Sequence, residues 1–249
     1  MSREYILLKL VSIPAILFAL TFHEYAHGYT AYKLGDPTAK YNGRLSLNPL
    51  AHLDPVGALL MLLVGFGWAR PVPVNPRYFK KPKQGMALTA LMGPVANILL
   101  ALLSALLFQL VLAIFGTNTL LPENLALALT YFLLFLKASV TLNLSFALFN
   151  LIPLPPLDGS RIIGLFLPHR IYLKLLEKER QISFFFLIWL LFGSRVAQWL
   201  LTMPGIASSR VLTIVVKSLS ITGWLGDAVS FLSDMIFRLV RLIPFLNIS

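Results

Sequence analysis

Three long apolar runs constrain this chain more than any other feature: Tyr5 to Leu34, Met86 to Phe115 and Leu125 to Leu151. At about 1.5 Å of rise per residue, each is long enough to cross a hydrocarbon core of about 30 Å. No water inside such a core satisfies backbone N–H and C=O groups, so a spanning segment must bond to itself as a helix. The chain as a whole agrees, being 57% hydrophobic and 12% charged. The expected fold class is therefore an all-α polytopic membrane protein. Cysteine is absent, which excludes disulfides, thiolate metal sites and cysteine nucleophiles.

Charge gives the topology. The loop from Lys33 to Lys83 holds eight Lys or Arg, and Arg170 to Arg180 holds four more. The connection Gly116 to Asn124 holds none and carries Glu123. The formal net charge of +11 is thus concentrated beside hydrophobic spans, which points to membrane orientation and not to nucleic acid. By the positive-inside rule both basic loops are cytoplasmic and the N-terminus lies outside. No cleavable signal peptide is expected, because the first apolar run also carries the chain's most distinctive polar motif.

That motif is His23-Glu24-Tyr25-Ala26-His27, at the end of the almost unbroken apolar stretch Tyr5 to Phe22. Residues four apart share a helix face, so His23 and His27 can bind one metal ion together. Glu24 then stands where a carboxylate can take a proton from metal-activated water. A charge at the centre of a spanning helix costs about 2.5 kcal/mol or more, which argues against an idle placement. Two histidines are one ligand short of a catalytic zinc set.

Helix depth indicates where the third ligand lies. Entering from outside, His23 and His27 sit about 27–33 Å along the first helix, in its cytoplasmic part. The second helix starts on the cytoplasmic side, and Gly93-Pro94-Val95-Ala96-Asn97 falls about 10–17 Å along it. The third returns to that side and meets Asn150-Leu151-Ile152-Pro153-Leu154-Pro155-Pro156-Leu157-Asp158-Gly159. Three prolines in four residues cannot continue a helix, and irregular backbone at such depth must line a cavity or be buried. All three motifs reach one layer. Asp158 completes a His2Asp set, the competing role being an Asp-Gly turn. Two readings stay open for Asn97: a donor to substrate carbonyl or oxyanion, or packing beside the small Gly93. Asn150 similarly either caps the broken helix or holds substrate backbone.

Together, His23-Glu24-x-x-His27, Gly93-x-x-x-Asn97 and Asn150-x-x-Pro153-x-Pro155-x-Leu157-Asp158-Gly159 resemble the site-2 protease family of intramembrane zinc metalloproteases. The resemblance spans residues 23–159, the three-helix catalytic core of that family, and Asn48 to Gly57 resembles its compact prokaryotic members. It implies one zinc ion per chain held by His23, His27 and Asp158, Glu24 as general base, and Asn97 and Asn150 near the substrate. It also implies a membrane-embedded protein or peptide substrate, a prokaryotic plasma membrane, and no nucleic-acid partner. The PDZ and CBS domains of larger relatives are expected to be absent.

The core is expected over residues 1–167, followed by a basic cytoplasmic loop and C-terminal helices over 168–249. Within the core, Val56 to Gly67 is too short to span and reads as a re-entrant hairpin or loop. Ala69 to Pro76, with prolines at 71, 73 and 76, can only be extended or an edge strand. This region either pairs with extended substrate by strand addition or covers the site. His52 and Asp54 form either a turn with a satisfied histidine or a second metal pair; they are also candidates for positioning substrate or water. His169 is expected to be solvated. Lys137, in mid-span, and Arg195 are functional candidates or snorkelling side chains. Phe184 to Met203 is interrupted by Gly193-Ser194-Arg195 and reads as one span or two pieces. Gly205 to Gly223 is only mildly apolar. Trp224 to Ile243 reads as an amphipathic helix, at the interface or packed with its polar stripe inward. Four to six spans are expected in total. Two other functions compete: a membrane zinc transporter, which needs no base at position 24, and an inactive scaffold or chaperone.

Overall fold

The computed structural model describes residues 3–57, 69–116, 121–203, 205, 208–209 and 221–243. Helix α1 is Arg3–Lys33 and the short α2 is Thr38–Tyr41. The long helices α3, Pro82–Phe115, and α4, Glu123–Asn150, follow. Then come α5, Asp158–Gly164; α6, His169–Glu177; α7, Glu179–Leu201; and α8, Ile221–Arg241. Helices α3, α4 and α7 are long and apolar enough to cross a membrane. The protein is an all-α polytopic membrane protein.

Helices α1, α3 and α4 pack on one another, and small residues let them approach. The buried side of α3 runs Ala90, Gly93, Asn97, Ala101, Ser104 and Ala105, at intervals of one to four. Ala15 and Ala19 of α1 are fully buried. In α4 the buried set is Leu136, Ser139, Val140, Asn143, Leu144 and Ala147, a stripe of helical period. Lipid tails are as apolar as leucine, so backbone proximity and polar contacts between helices hold such a bundle.

Three expectations are refined here. The Gly193-Ser194-Arg195 interruption leaves α7 continuous over Glu179–Leu201. A glycine costs about 1 kcal/mol in a helix but keeps its N–H, whereas proline removes a rung. Helix α8 is amphipathic, but its polar stripe faces outward: Asp227, Asp234, Arg238 and Arg241 are exposed. Val229, Ile236 and Val240 instead join Ala101 and Ala105 of α3 and Val140 and Leu144 of α4 in one apolar cluster. With Leu225, Leu232 and Ile243 packed against the same cluster, the inner face of α8 and its end repeats every three or four residues, a core-facing stripe. Lys137 is exposed on α4.

The polar connection between α1 and α3 folds back over the C-terminal end of α1. Leu53 and Ala69 form an isolated antiparallel bridge, and Arg70 N–H donates to His52 O at 2.9 Å. Residues 69–75 are irregular and extended, with no ladder, because prolines 71 and 73 have no N–H to offer. Residues 58–67 of the expected re-entrant piece lie outside the described residues, as does most of Gly205 to Gly223.

Candidate metal centre

Two helices bring three ligands to one point. His23 Nε2 and His27 Nε2, one turn apart on α1, stand 3.0 Å from each other. Asp158 Oδ2, from the first residue of α5, lies 3.2 Å from both. Helix α5 starts where the proline-rich break ends, and Gly159 permits that entry. A Cβ at 159 would fall 2.6 Å from the carbonyl carbon of Ile152. All three side chains are buried or nearly so.

The proton positions make this cluster a receptor for a cation. His27 Nδ1 lies 2.7 Å from Thr89 O, a carbonyl that can only accept, so Nδ1 carries the proton. His23 Nδ1 lies 2.6 Å from Asn97 Oδ1. The Asn97 amide is oriented by its other end, where Nδ2 donates to Ala19 O at 3.1 Å and Asn143 Oδ1 at 2.8 Å. His23 Nδ1 must therefore donate as well. In its neutral form each imidazole then turns the Nε2 lone pair inward. Asp158 Oδ2 is buried and has no hydrogen-bond partner despite the two nitrogens at 3.2 Å. Three acceptors facing one another repel unless a proton or a metal cation lies among them. Tetrahedral zinc with bonds of about 2.0–2.1 Å separates its ligands by about 3.3 Å, close to the spacings here. The residues fit a zinc ion.

Gly93 completes the cradle. A Cβ there would lie 2.5 Å from His27 Nε2 and 2.6 Å from His23 Cε1. Next to it, Pro94 removes one rung of the α3 ladder, in the part of the helix that offers Thr89 O to His27.

Glu24, on the same helix turn, accepts from Val72 N–H at 2.9 Å through Oε2. The extended segment that presents Val72 is pinned along its length. Arg44 Nη2 donates to Arg70 O, and Asn75 N–H donates to Asp36 Oδ2 at 2.6 Å. Asp36 is fully buried and also accepts from Thr38 N at 2.9 Å. Burial and the neighbouring Arg70 charge push the Arg44 guanidinium below its usual range, and Glu24 partly offsets them.

The structure thus gathers His23, His27, Gly93, Asn97 and Asp158 in one place. Asn97 is fully buried with both Nδ2 protons committed, which leaves no donor for an oxyanion in this arrangement. Asn150 Nδ2 donates to Phe146 O at 3.0 Å in its own helix, and among the described residues it makes no bond to the cluster. His52 Nε2 donates to Ser46 O at 2.7 Å, and Asp54 Oδ1 accepts from Gly57 N at 2.8 Å. Those two hold a turn and show no shared metal geometry. His169 is the first residue of α6 and exposed. Sequence reading passed over Thr89, Val72, Asp36, Arg44 and Asn143. Only Asn143 carried a signal, as a carboxamide inside an apolar span.

Residues 11–194 match peptidase family M50. The chain is 46% identical over 178 residues to a candidate zinc metalloprotease of Bacillus subtilis, YwhC, covering 72% of this chain and 77% of that protein. It is 28% identical over 162 residues to a candidate zinc metalloprotease, Rip2, of Mycolicibacterium smegmatis. That match covers 63% of this chain and 57% of the relative. The Rip2 protein of Mycobacterium tuberculosis is 29% identical over 157 residues, covering 59% and 53%. The chain therefore spans little more than half the length of the mycobacterial relatives. No solved structure matches the chain at a significant level.

Proposed function

From the premise that this chain belongs to peptidase family M50 and is a zinc metalloprotease, we propose that it hydrolyses peptide bonds within or next to the transmembrane segments of substrate proteins. The observation that carries the reading is the set of three buried acceptors, His23 Nε2, His27 Nε2 and Asp158 Oδ2, mutually 3.0–3.2 Å apart in a chain of membrane-length helices. One zinc ion per chain, which His23, His27 and Asp158 would hold, would supply a Lewis acid for the scissile carbonyl and lower the pKa of water to about 7. Glu24 takes the proton from the attacking water and returns it to the leaving amine. Asn97 fixes the tautomer of His23 and Thr89 O that of His27, so both rings keep an Nε2 lone pair for the ion. Gly93 keeps room for both rings.

The segment 69–76 serves as a cover over the site. Strand addition needs free backbone donors, but the N–H groups of Arg70, Val72 and Asn75 are already bonded, and 71 and 73 are prolines. Substrate reaches Glu24 when the Val72 contact opens. Loop charge supports cytoplasmic basic loops, an outside N-terminus and a site toward the cytoplasmic side of a plasma membrane.

The test is cleavage of a panel of single-span substrates by the purified chain in liposomes, with zinc measured on the same samples. Wild type cleaves, and Glu24→Gln retains zinc while losing cleavage by roughly 100- to 10,000-fold. Zinc-loaded Glu24→Gln cleaving at the wild-type rate contradicts the mechanism.

A further inference from the structure

Behind Asn97 a line of buried polar side chains crosses from α3 to α4 and ends in backbone carbonyls. Asn97 Nδ2 donates to Asn143 Oδ1 at 2.8 Å. Asn143 Nδ2 donates to Ser139 O at 2.8 Å and to Ser139 Oγ at 3.2 Å. Ser139 Oγ and Ser104 Oγ are 2.8 Å apart, and Ser104 Oγ donates to Leu100 O at 2.8 Å. Leu100 O can only accept, so Ser104 spends its proton there and Ser139 donates to Ser104. Every hydrogen in the line then has one direction. Asn97 and Asn143 are fully buried, and Ser104 and Ser139 nearly so.

Direction matters because a carboxamide can turn end for end. With Asn97 reversed, its Nδ2 faces His23 Nδ1, which then accepts; the ring proton moves to Nε2 and the ligand lone pair is lost. Two acceptors hold Asn97 against that turn, Ala19 O and Asn143 Oδ1. The second is an acceptor only because Ser139 O fixes the Asn143 amide in its turn. We infer that Asn143 is a positioning residue for the metal centre, setting the Asn97 amide and through it the His23 tautomer. It touches neither the ligand atoms nor substrate. The inference rests on the zinc reading above. The competing role for Asn143 is adhesion between α3 and α4, since hydrogen bonds between spanning helices are common.

An asparagine-to-aspartate change at 97 separates the two roles. A carboxylate presents an acceptor to His23 whichever way it is turned, so the tautomer no longer depends on Asn143. Its second oxygen faces Asn143 Oδ1, and shortening residue 143 relieves that opposition. The measurement is zinc affinity of the purified full chain in micelles, by competition with a chromophoric chelator. The samples are wild type, His23→Ala, Asn143→Ala, Asn97→Asp and the double variant, with melting temperatures of the zinc-free proteins. Asn143→Ala is expected to weaken zinc binding about tenfold, the lower end for residues behind a ligand. The same change in the Asn97→Asp background is expected to cause no loss. Asn143→Asp, protonated in its apolar surroundings, keeps an acceptor for Asn97 and a donor for Ser139 O, and covers the case in which Asn143→Ala fails to fold. It is expected to bind zinc like wild type. Equal losses in both backgrounds, or a weakened Asn143→Asp, assign Asn143 to adhesion and overturn the inference. So does wild-type affinity in Asn143→Ala when His23→Ala has lost zinc. Absence of zinc from wild type, or His23→Ala binding as tightly as wild type, overturns the metal reading and the relay with it.

Discussion

Replacing Gly93 by alanine tests the cradle with a single methyl group. The added Cβ would lie 2.5 Å from His27 Nε2 and 2.6 Å from His23 Cε1. Carbon contacts are favourable near 3.5–4.0 Å, so at least one imidazole must retreat by about 1 Å. Metal–ligand distances tolerate about 0.2 Å, so a retreat of that size removes a ligand. Changes one shell farther out typically cost 10–100-fold in affinity, and this one should reach at least about 100-fold. The overpacking should also destabilise the zinc-free protein by about 1–3 kcal/mol. Gly28→Ala is the control on α1. Its Cβ would meet Val72 Cγ1 at 3.2 Å and Ala39 Cβ at 3.3 Å, not the imidazoles. Chelator competition on both variants reads the outcome: a large loss for Gly93→Ala and near-wild-type affinity for Gly28→Ala. Zinc affinity within threefold of wild type in Gly93→Ala refutes the argument that glycine is there to seat the rings.

Asn97→Ala removes the acceptor for His23 Nδ1–H and should lower zinc affinity about 10–100-fold, read by the same competition. Val72→Pro deletes the N–H that engages Glu24. A hydrogen bond to a charged group contributes about 1.5–3 kcal/mol, so if the cover must release Glu24, cleavage in liposomes should rise by roughly tenfold; a fall would mean that Val72 positions Glu24 for the reaction. Asp36→Ala frees Asn75 N–H and the α2 start together, and limited proteolysis between residues 69 and 76 should accelerate. Unchanged proteolysis would show that the remaining pins suffice.

Much of this arrangement is legible in the sequence, because helix depth is arithmetic. Hydropathy gives three runs, loop charge gives an expected orientation, and a rise of about 1.5 Å per residue then brings His23, Asn97 and Asp158 toward one layer. The structure joins those residues through contacts of 2.6–3.2 Å. What depth does not give is direction around an amide. Asn97 could have pointed its Nδ2 at substrate, and only Ala19 O and Asn143 Oδ1 decide otherwise. Asn143 belongs to no short motif, so its partnership across two helices was invisible. The pins on segment 69–76 are side-chain bonds to backbone over separations of 26 to 48 residues, which no local pattern encodes. The polar stripe of α8 was readable, but which way it faced depended on neighbours supplied by α3 and α4.

The central claim is that one zinc ion is held by two imidazoles and one carboxylate from α1 and α5. X-ray absorption at the zinc edge of the purified, zinc-loaded chain tests it directly, with His27→Ala and Asp158→Ala measured alongside. The account predicts a four-coordinate nitrogen and oxygen shell at about 2.0–2.1 Å with two imidazole signatures, one of them lost in His27→Ala, and a disturbed shell in Asp158→Ala. Zinc bound with no imidazole signature, or the same spectrum in all three proteins, contradicts it.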